Sequence, residues 1–578
     1  MFSKYYQSEL TYLRELGREF ARANPTLTRA LADREGDPEV ERLLEGFAFL
    51  TARIRERADD ALPEVIDSLG QLTVPQLFRQ VPACSTVQFS ANAAAIRGHY
   101  QVASGTELAS RAVQGTQCTF RTIAPVDLLP MRLEGATMDP STESRPKIRL
   151  RFRAESEPKW PEHGRLRLFL DGPLGLASTV FFWLAEYLTA AELETRGHAY
   201  PLANKVELPG VGAGFRLLPW PDTVPEGLCL LQEYFTMPAK LLFVDVPGFL
   251  KLPEGVLGEN FDLVFHFRDP PKLPERLTSD LFQPHCTPVV NLFEADGAPI
   301  KQSSREHEYL LRALNRDPHH TEIYSVNSVT GIDQRGSRRI TYDPFFAFSH
   351  LNRPRNEQRY YSVRRDRSPI DNAIDAYLSV LTPSDVPPDL EERVLSSELS
   401  CTNRQLPSEL RPGDICQPTS GSPTVASFRN ITRVTRPTRP PIGAEKHWRL
   451  VSHLALNTRS LAHANVLSSL LTLYNVHEET DQQLYEANRL RIAAIRSVRA
   501  TRERRVFERV PMVGLHTEVE LDETGFAEIG DAYLFGCALQ RLLTSESPIN
   551  CFQRLTINLY PSNKSIGWKP ETGTQPLL

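Results

Sequence analysis

An α+β fold is what the sequence predicts, in three parts. These are a helical bundle segment over residues 1–80, a β-rich mixed region over 81–385, and an α+β region with proline-rich loops over 386–578. Three observations carry this reading. Apolar residues recur at helical spacings of three and four through the first part. From Cys84 the apolar period drops to two, as in half-buried strands. Beyond the proline-rich stretch ending at Pro441 both periods return, which favours segregated helices and sheets.

The first helix starts at Ser3, whose hydroxyl can cap it. Tyr6, Leu10, Leu13, Leu16 and Phe20 form its stripe, and "ANP" at Ala23–Pro25 ends it. The second opens with Asp37 as N-cap and Pro38 at the first helical position, with Glu39 and Glu41 at the positive end of the dipole. Val40, Leu43, Phe47, Leu50 and Ile54 then recur at spacings of 3, 4, 3 and 4, an apolar stripe widened by Leu44 and Ala48. Phe49 points away from that stripe, among Arg42, Glu45, Arg53 and Glu56. Two readings of it stand: a single exposed aromatic, or a helix buried on two sides, once in its own chain and once against a partner. A third helix begins over Asp60–Leu72, with Pro63 in its first turn.

Strands follow. Cys118, Phe120 and Thr122 alternate in "CTFRTI". "IRLRFRA" puts Ile148, Leu150, Phe152 and Ala154 on one face and Arg149, Arg151 and Arg153 on the other. Leu166, Leu168 and Leu170, then Phe261, Leu263, Phe265 and Phe267, repeat the pattern. "LGLASTVFFWLAEYLTAA", Leu174–Ala191, is too short and too interrupted by Glu186 to span a membrane, and reads as a buried helix. "RPRNEQRYYSVRRDRS" and "LTPSDVPPDLEE" read as a polar stretch and a linker or exposed loop. Late in the chain, "HWRLVSHLALNTRSLAHANVLSSLLTLYN" is helical. A basic helix is expected near Asn488–Val510, then a strand at "HTEVELD", a helix at "DAYLFGCALQRLL" and a closing strand at "FQRLTINLY".

Bulk properties exclude several classes. A formal net charge of −5 gives no global attraction to nucleic acid or anionic membrane. The eight cysteines include no CxxC pair and are too sparse for a disulfide framework, so buried free thiols in a reducing compartment are expected. "MFSKYYQSELTYLREL" lacks the apolar core of a signal peptide, which points to a cytoplasmic protein. "GVGAG", Gly210–Gly214, fails as a dinucleotide loop because Pro219, Pro221 and Pro225 deny it a following helix. His319–His320 and His285–Cys286 are adjacent pairs, a poor chelating arrangement, and no second pair stands at ligand spacing. The seven arginines of "NRLRIAAIRSVRATRERR" suggest a surface helix meeting an acidic protein, with nucleic acid a weaker alternative.

Several stretches resemble one family, in order along nearly the whole chain. They are "YYQSELTYLRELGREFARANP", "DPEVERLLEGFAFLTARI", "GTQCTFRT" with "VDLLPM", "LLPWP", "LLQEYFTMPAKLLFVDV", "CTPVVNLFE", "SCTNRQLPSEL", "WRLVSHLALN" and "SPINCF". Together they are similar to TssF, a baseplate subunit family of the bacterial type VI secretion system. The segment "PMVGLH", Pro511–His516, departs from the pattern by lacking an arginine–glycine pair.

The resemblance implies a structural protein with no catalytic activity, metal or organic cofactor. It implies pairing with a TssG-like subunit, two copies to one. It further implies assembly with TssK and TssE into wedges around the VgrG spike hub, as in contractile phage baseplates. No nucleic acid and no direct membrane insertion are implied. The location is the bacterial cytoplasm, with recruitment to the apparatus docked at the inner membrane. The helical segment is expected to join a bundle shared with the partner and the β-rich parts to form wings. The interface expected on this basis comprises Tyr6, Leu13, Phe20, Leu43, Phe47, Phe49, Leu50 and Ile54. Against it stand two other readings: a nucleic-acid or protein adaptor working through the arginine-rich helix, and a hydrolase with a site in the β region.

Overall fold

The computed structural model describes residues 6, 10, 11 and 13, then 38–59 and 70–575 apart from 93–94, 97, 140–145, 157, 222–223, 254, 269–276, 304–305, 307, 334–338, 346–358, 369–372, 382–392, 443–447, 450, 454–459 and 508–509. Its main helices are α1 (Pro38–Asp59), α2 (Leu174–Phe182), α3 (Glu226–Thr236), α4 (Ala464–Tyr474), α5 (Gln482–Ala493) and α6 (Ile529–Ser545). The fold is α+β and rich in strands. Tyr6, Leu10 and Leu13 are helical and half-buried. Phe20, the "ANP" stop and most of the bundle expected over 1–80 lie outside the described residues.

Strands begin where the period-two pattern begins. A six-stranded antiparallel sheet runs in the order Ile415–Gln417, Glu107–Val113, Thr116–Thr122, Cys286–Val290, Cys84–Ala91, Ala426–Asn430. Val87, Phe89, Phe120, Val289 and Phe428 form its core. A five-stranded antiparallel sheet runs His198–Ala203, Leu188–Thr195, Asn260–Phe267, Lys147–Ala154, Met131–Asp139. There the alternation read from sequence holds. Ile148, Leu150 and Phe152 sit opposite Phe265, Leu263 and Phe261, all buried, and the rings of Phe152 and Phe261 stack with centroids 5.4 Å apart.

The run Leu174–Ala191 departs from expectation. It is helical through α2 and one π-helical turn, Trp183–Tyr187, and then enters the strand Leu188–Thr195. From Ala191 the burial alternates, with Ala191, Leu193 and Thr195 inside and Glu192 and Glu194 half-exposed. That alternation matches a two-sided ladder better than a helix, so strand pairing overrides the continuous apolar run.

The basic helix expected near Asn488–Val510 is a correction of the same kind. α5 ends at Ala493, and Ile495–Phe507 is a strand. It pairs along its whole length with Val510–Asp522, and Arg499 lies opposite Glu518. β-Branched Ile495, Val498, Thr501 and Val506 suit this extended backbone. Ile492, Ile495 and Val498 are buried as expected, but from a helix end and a strand together. Val510–Asp522 runs parallel to Cys551–Tyr560, so α6 serves as the crossover that parallel strands require.

The expected boundary at 385–386 falls between Ile374–Leu381 and Arg393–Thr402, two strands of one eight-stranded sheet. The largest core likewise joins Leu77 and Phe78 to Phe181, Leu231 and Phe243, and to Leu471, Leu539 and Leu555. α6 sits at its centre. A Cβ at Gly530 would lie 2.2 Å from the carbonyl carbon of Ser178 in α2, and one at Gly227 in α3 would lie 2.4 Å from the backbone of Arg541 and Leu542 in α6. The absence of side chains at these two glycines lets backbones touch. Buried Arg491 of α5 pairs with Asp531 of α6 at 3.1 Å and donates to Asn488 at 2.9 Å.

Candidate interaction surface

α1 turns a different face inward from the one its sequence favours. Ala48 and Ala52, one turn apart, are fully buried. Leu43 is 67%, Phe47 59% and Leu50 60% exposed, so the apolar stripe faces out at these three residues, all expected at the interface. At about 100° per residue, Leu43, Phe47 and Leu50 form one face and the two alanines lie nearly opposite. Alanine permits close approach of the helix to what it packs on, and the bulky residues are carried on the other side. Phe49, 45% exposed, is turned by about 100° or more from each of Leu43, Phe47 and Leu50 and so lies off the outward face. The side chains of Val40, Leu44 and Ile54 lie outside the described residues. A second outward apolar pair, Trp448 and Val451, sits on a helical turn later in the chain. Grouped exposed side chains of this size on one helix face mark a contact surface, whereas scattered ones need no explanation.

Arginine side chains divide into two kinds. On the five-stranded sheet Arg149 bonds to Glu194 and, at 2.9 Å, to Asp262. Arg151 reaches Asp262 at 3.3 Å and Arg153 reaches Glu259 at 2.7 Å. These charges are neutralised across neighbouring strands. On Ile495–Phe507, by contrast, the side chains of Arg499, Arg502 and Arg504 make no hydrogen bond or ion pair with another described residue.

Several titratable groups inside the protein are paired or shifted by burial. Lys240 and Glu233 form a buried pair at 2.6 Å, and the other Glu233 oxygen accepts from the Leu217 N–H. His285 Nε2 accepts from the Leu129 N–H at 3.2 Å, and burial pushes its pKa down to about 4. Its neighbour Cys286 has a thiol held well above its ordinary value by burial, the opposite of an activated nucleophile. His320 bonds Thr116 at 2.7 Å. "GVGAG" forms two short 3₁₀ turns, Pro209–Val211 and Ala213–Phe215. Among the described residues no group of His, Cys, Asp and Glu side chains could hold a metal ion. Among them, too, no helix is long and apolar enough to cross a membrane.

Residues 1–575 match the family model for the type VI secretion system protein TssF. The chain belongs to the TssF family. The type VI secretion system component TssF1 of Pseudomonas aeruginosa is 27% identical to it over 633 aligned positions, covering 100% of this chain and 99% of the relative. A chain of the type VI secretion TssK–TssF–TssG baseplate subcomplex, solved by cryo-electron microscopy, superposes with a TM-score of 0.78 at 32% identity over 93% of this chain and 99% of that one. A chain of another type VI secretion baseplate complex superposes with a TM-score of 0.63 at 25% identity over the full length of both. The ordered motifs read from the sequence therefore identified the TssF family correctly. Leu43, Phe47 and Leu50 already stood among the residues expected at the interface, although spacing alone defines a stripe and not which side of it is covered.

Proposed function

We propose that this TssF protein is a structural, non-catalytic subunit of the type VI secretion baseplate wedge. It pairs with a TssG-like subunit through the outward face of α1. The observation that carries the proposal is the row of Leu43, Phe47 and Leu50, exposed on a helix whose opposite side is sealed by Ala48 and Ala52. Buried apolar anchors dominate the energy of protein interfaces, and Leu43, Phe47 and Leu50 are bulky, exposed side chains of the kind that serve as anchors. The TssK–TssF–TssG composition of a solved relative supports TssG-like and TssK-like partners.

In this reading Tyr6, Leu13, Phe20, Phe49 and Ile54 extend the contact into a bundle shared with the partner. Two copies of this chain meet one TssG-like subunit. TssE, the VgrG spike hub and docking at the inner membrane complete the assembly, with no nucleic acid involved. The test is co-expression with the TssG-like neighbour, purification through a tag on the neighbour, and native mass spectrometry. A stable two-to-one complex is expected. A soluble, solitary chain overturns the pairing. A one-to-one complex overturns the stoichiometry alone.

A further inference from the structure

The strand Ile495–Phe507 changes character along its length. Ile495 and Val498 are buried, whereas Thr501, Arg502, Arg504, Arg505 and Val506 are exposed. It is the end strand of its sheet, paired on one side with Val510–Asp522. Its exposed half therefore presents a strand edge whose outward backbone groups can accept another strand.

The two faces of this ribbon differ. On one, Glu503 pairs with Arg505 at 2.6 Å and with Arg554 at 3.6 Å, so these two guanidiniums have a carboxylate partner within the sheet. On the other, Arg502, Arg504 and Val506 alternate, opposite Leu515, Val513 and Pro511. Val506 is 74% and Val513 46% exposed. Arg502 and Arg504 have no side-chain partner among the described residues, although arginine is the side chain best suited to bidentate pairing with carboxylates.

We infer that this edge accepts an extended, acidic segment of another protein subunit, added as a further strand. Residues directly opposite on neighbouring strands share a face, so carboxylates at every second position of the added segment would meet Arg502 and Arg504. Its backbone would pair with the Thr501–Val506 edge, and an apolar side chain would cover Val506. A second copy of the same hairpin is disfavoured because its arginines would face these. The inference rests on the baseplate reading for the source of the segment.

The test places a photo-reactive benzoylphenylalanine at position 506 of the full chain. It is expressed with its secretion gene cluster, and cross-linked products are identified by mass spectrometry. Expected is a protein segment bearing carboxylates at alternate positions. The cross-link should be lost in the Arg502→Glu, Arg504→Glu double variant and retained in the Arg502→Lys, Arg504→Lys variant, with both variants melting at the parent's temperature. Cross-linking to nucleic acid, to the same hairpin of a second copy, or to nothing overturns the inference. Persistence in the glutamate variant overturns it as well. Co-purification of the TssG-like neighbour, measured in the same samples, reports separately on the baseplate reading.

Discussion

α6 and α1 are both helices with strong apolar faces, yet they meet opposite fates. α6 is surrounded: Leu534, Phe535, Leu539 and Leu542 are buried and its backbone touches α2 and α3. α1 buries two alanines and carries Leu43, Phe47 and Leu50 outward. The difference teaches that an apolar stripe specifies a need for cover without specifying who supplies it. The core helix is covered by its own chain and anchors stability. The outward one is suited to anchor an assembly.

Substitutions can set this contrast on a scale. Asp531→Ala leaves the Arg491 guanidinium buried without its carboxylate and should cost about 3–5 kcal/mol of folding free energy, read from urea denaturation. Acid should act next, again on the interior. His285 and His477 have pKa values lowered to about 4 by burial, against about 6.5 when unfolded. The unfolded chain therefore binds protons first as pH falls. Stability is fully present above about pH 6.5 and should decline toward pH 4 by up to about 1.4 kcal/mol per pH unit for each histidine. α1 contains no histidine, so partner binding through its outward face should have no histidine-linked dependence across pH 6.5–8. Urea midpoints and partner affinity measured over one pH series separate the two.

Phe47→Asp should reverse the pattern. The urea midpoint of the isolated chain should stay where it is, while affinity for the TssG-like subunit falls by about 2 kcal/mol, roughly thirtyfold, in a binding titration. A drop in the midpoint would instead make α1 part of the core. The smallest effect belongs to Phe49→Asp, beside the main face. Here a loss below about 1 kcal/mol is expected in the same titration, and a loss larger than that of Phe47→Asp would return the centre of the contact to Phe49.

The fold was legible wherever one local pattern went unopposed. Ile148, Leu150 and Phe152 alternate and are buried, and "DAYLFGCALQRLL" lies within α6. It was not legible where distant partners decide. Nothing near Ile495 announces that Val510–Asp522 will pair with it and draw the arginines out of a helix. Nothing near Leu188 announces the ladder to Asn260–Phe267 that ends the apolar run as a strand. At the candidate surface Leu43, Phe47 and Leu50 were found by spacing, but their direction depends on what packs against Ala48 and Ala52. Periodicity is a property of one helix, whereas direction is a property of two.

The six-stranded sheet also sets a timetable for the newborn chain. Cys84–Ala91 lies between Cys286–Val290 and Ala426–Asn430, and both neighbours are translated long after it. At about 5–20 residues per second, the first strand waits on the order of ten seconds or more for one flank and still longer for the other. Through that interval its N–H and C=O groups and the apolar Val87 and Phe89 have no native strand beside them, as on any unpaired edge. Ribosome-associated chaperones would meet an apolar strand here, early in the sequence, whose Val87 and Phe89 the finished subunit buries.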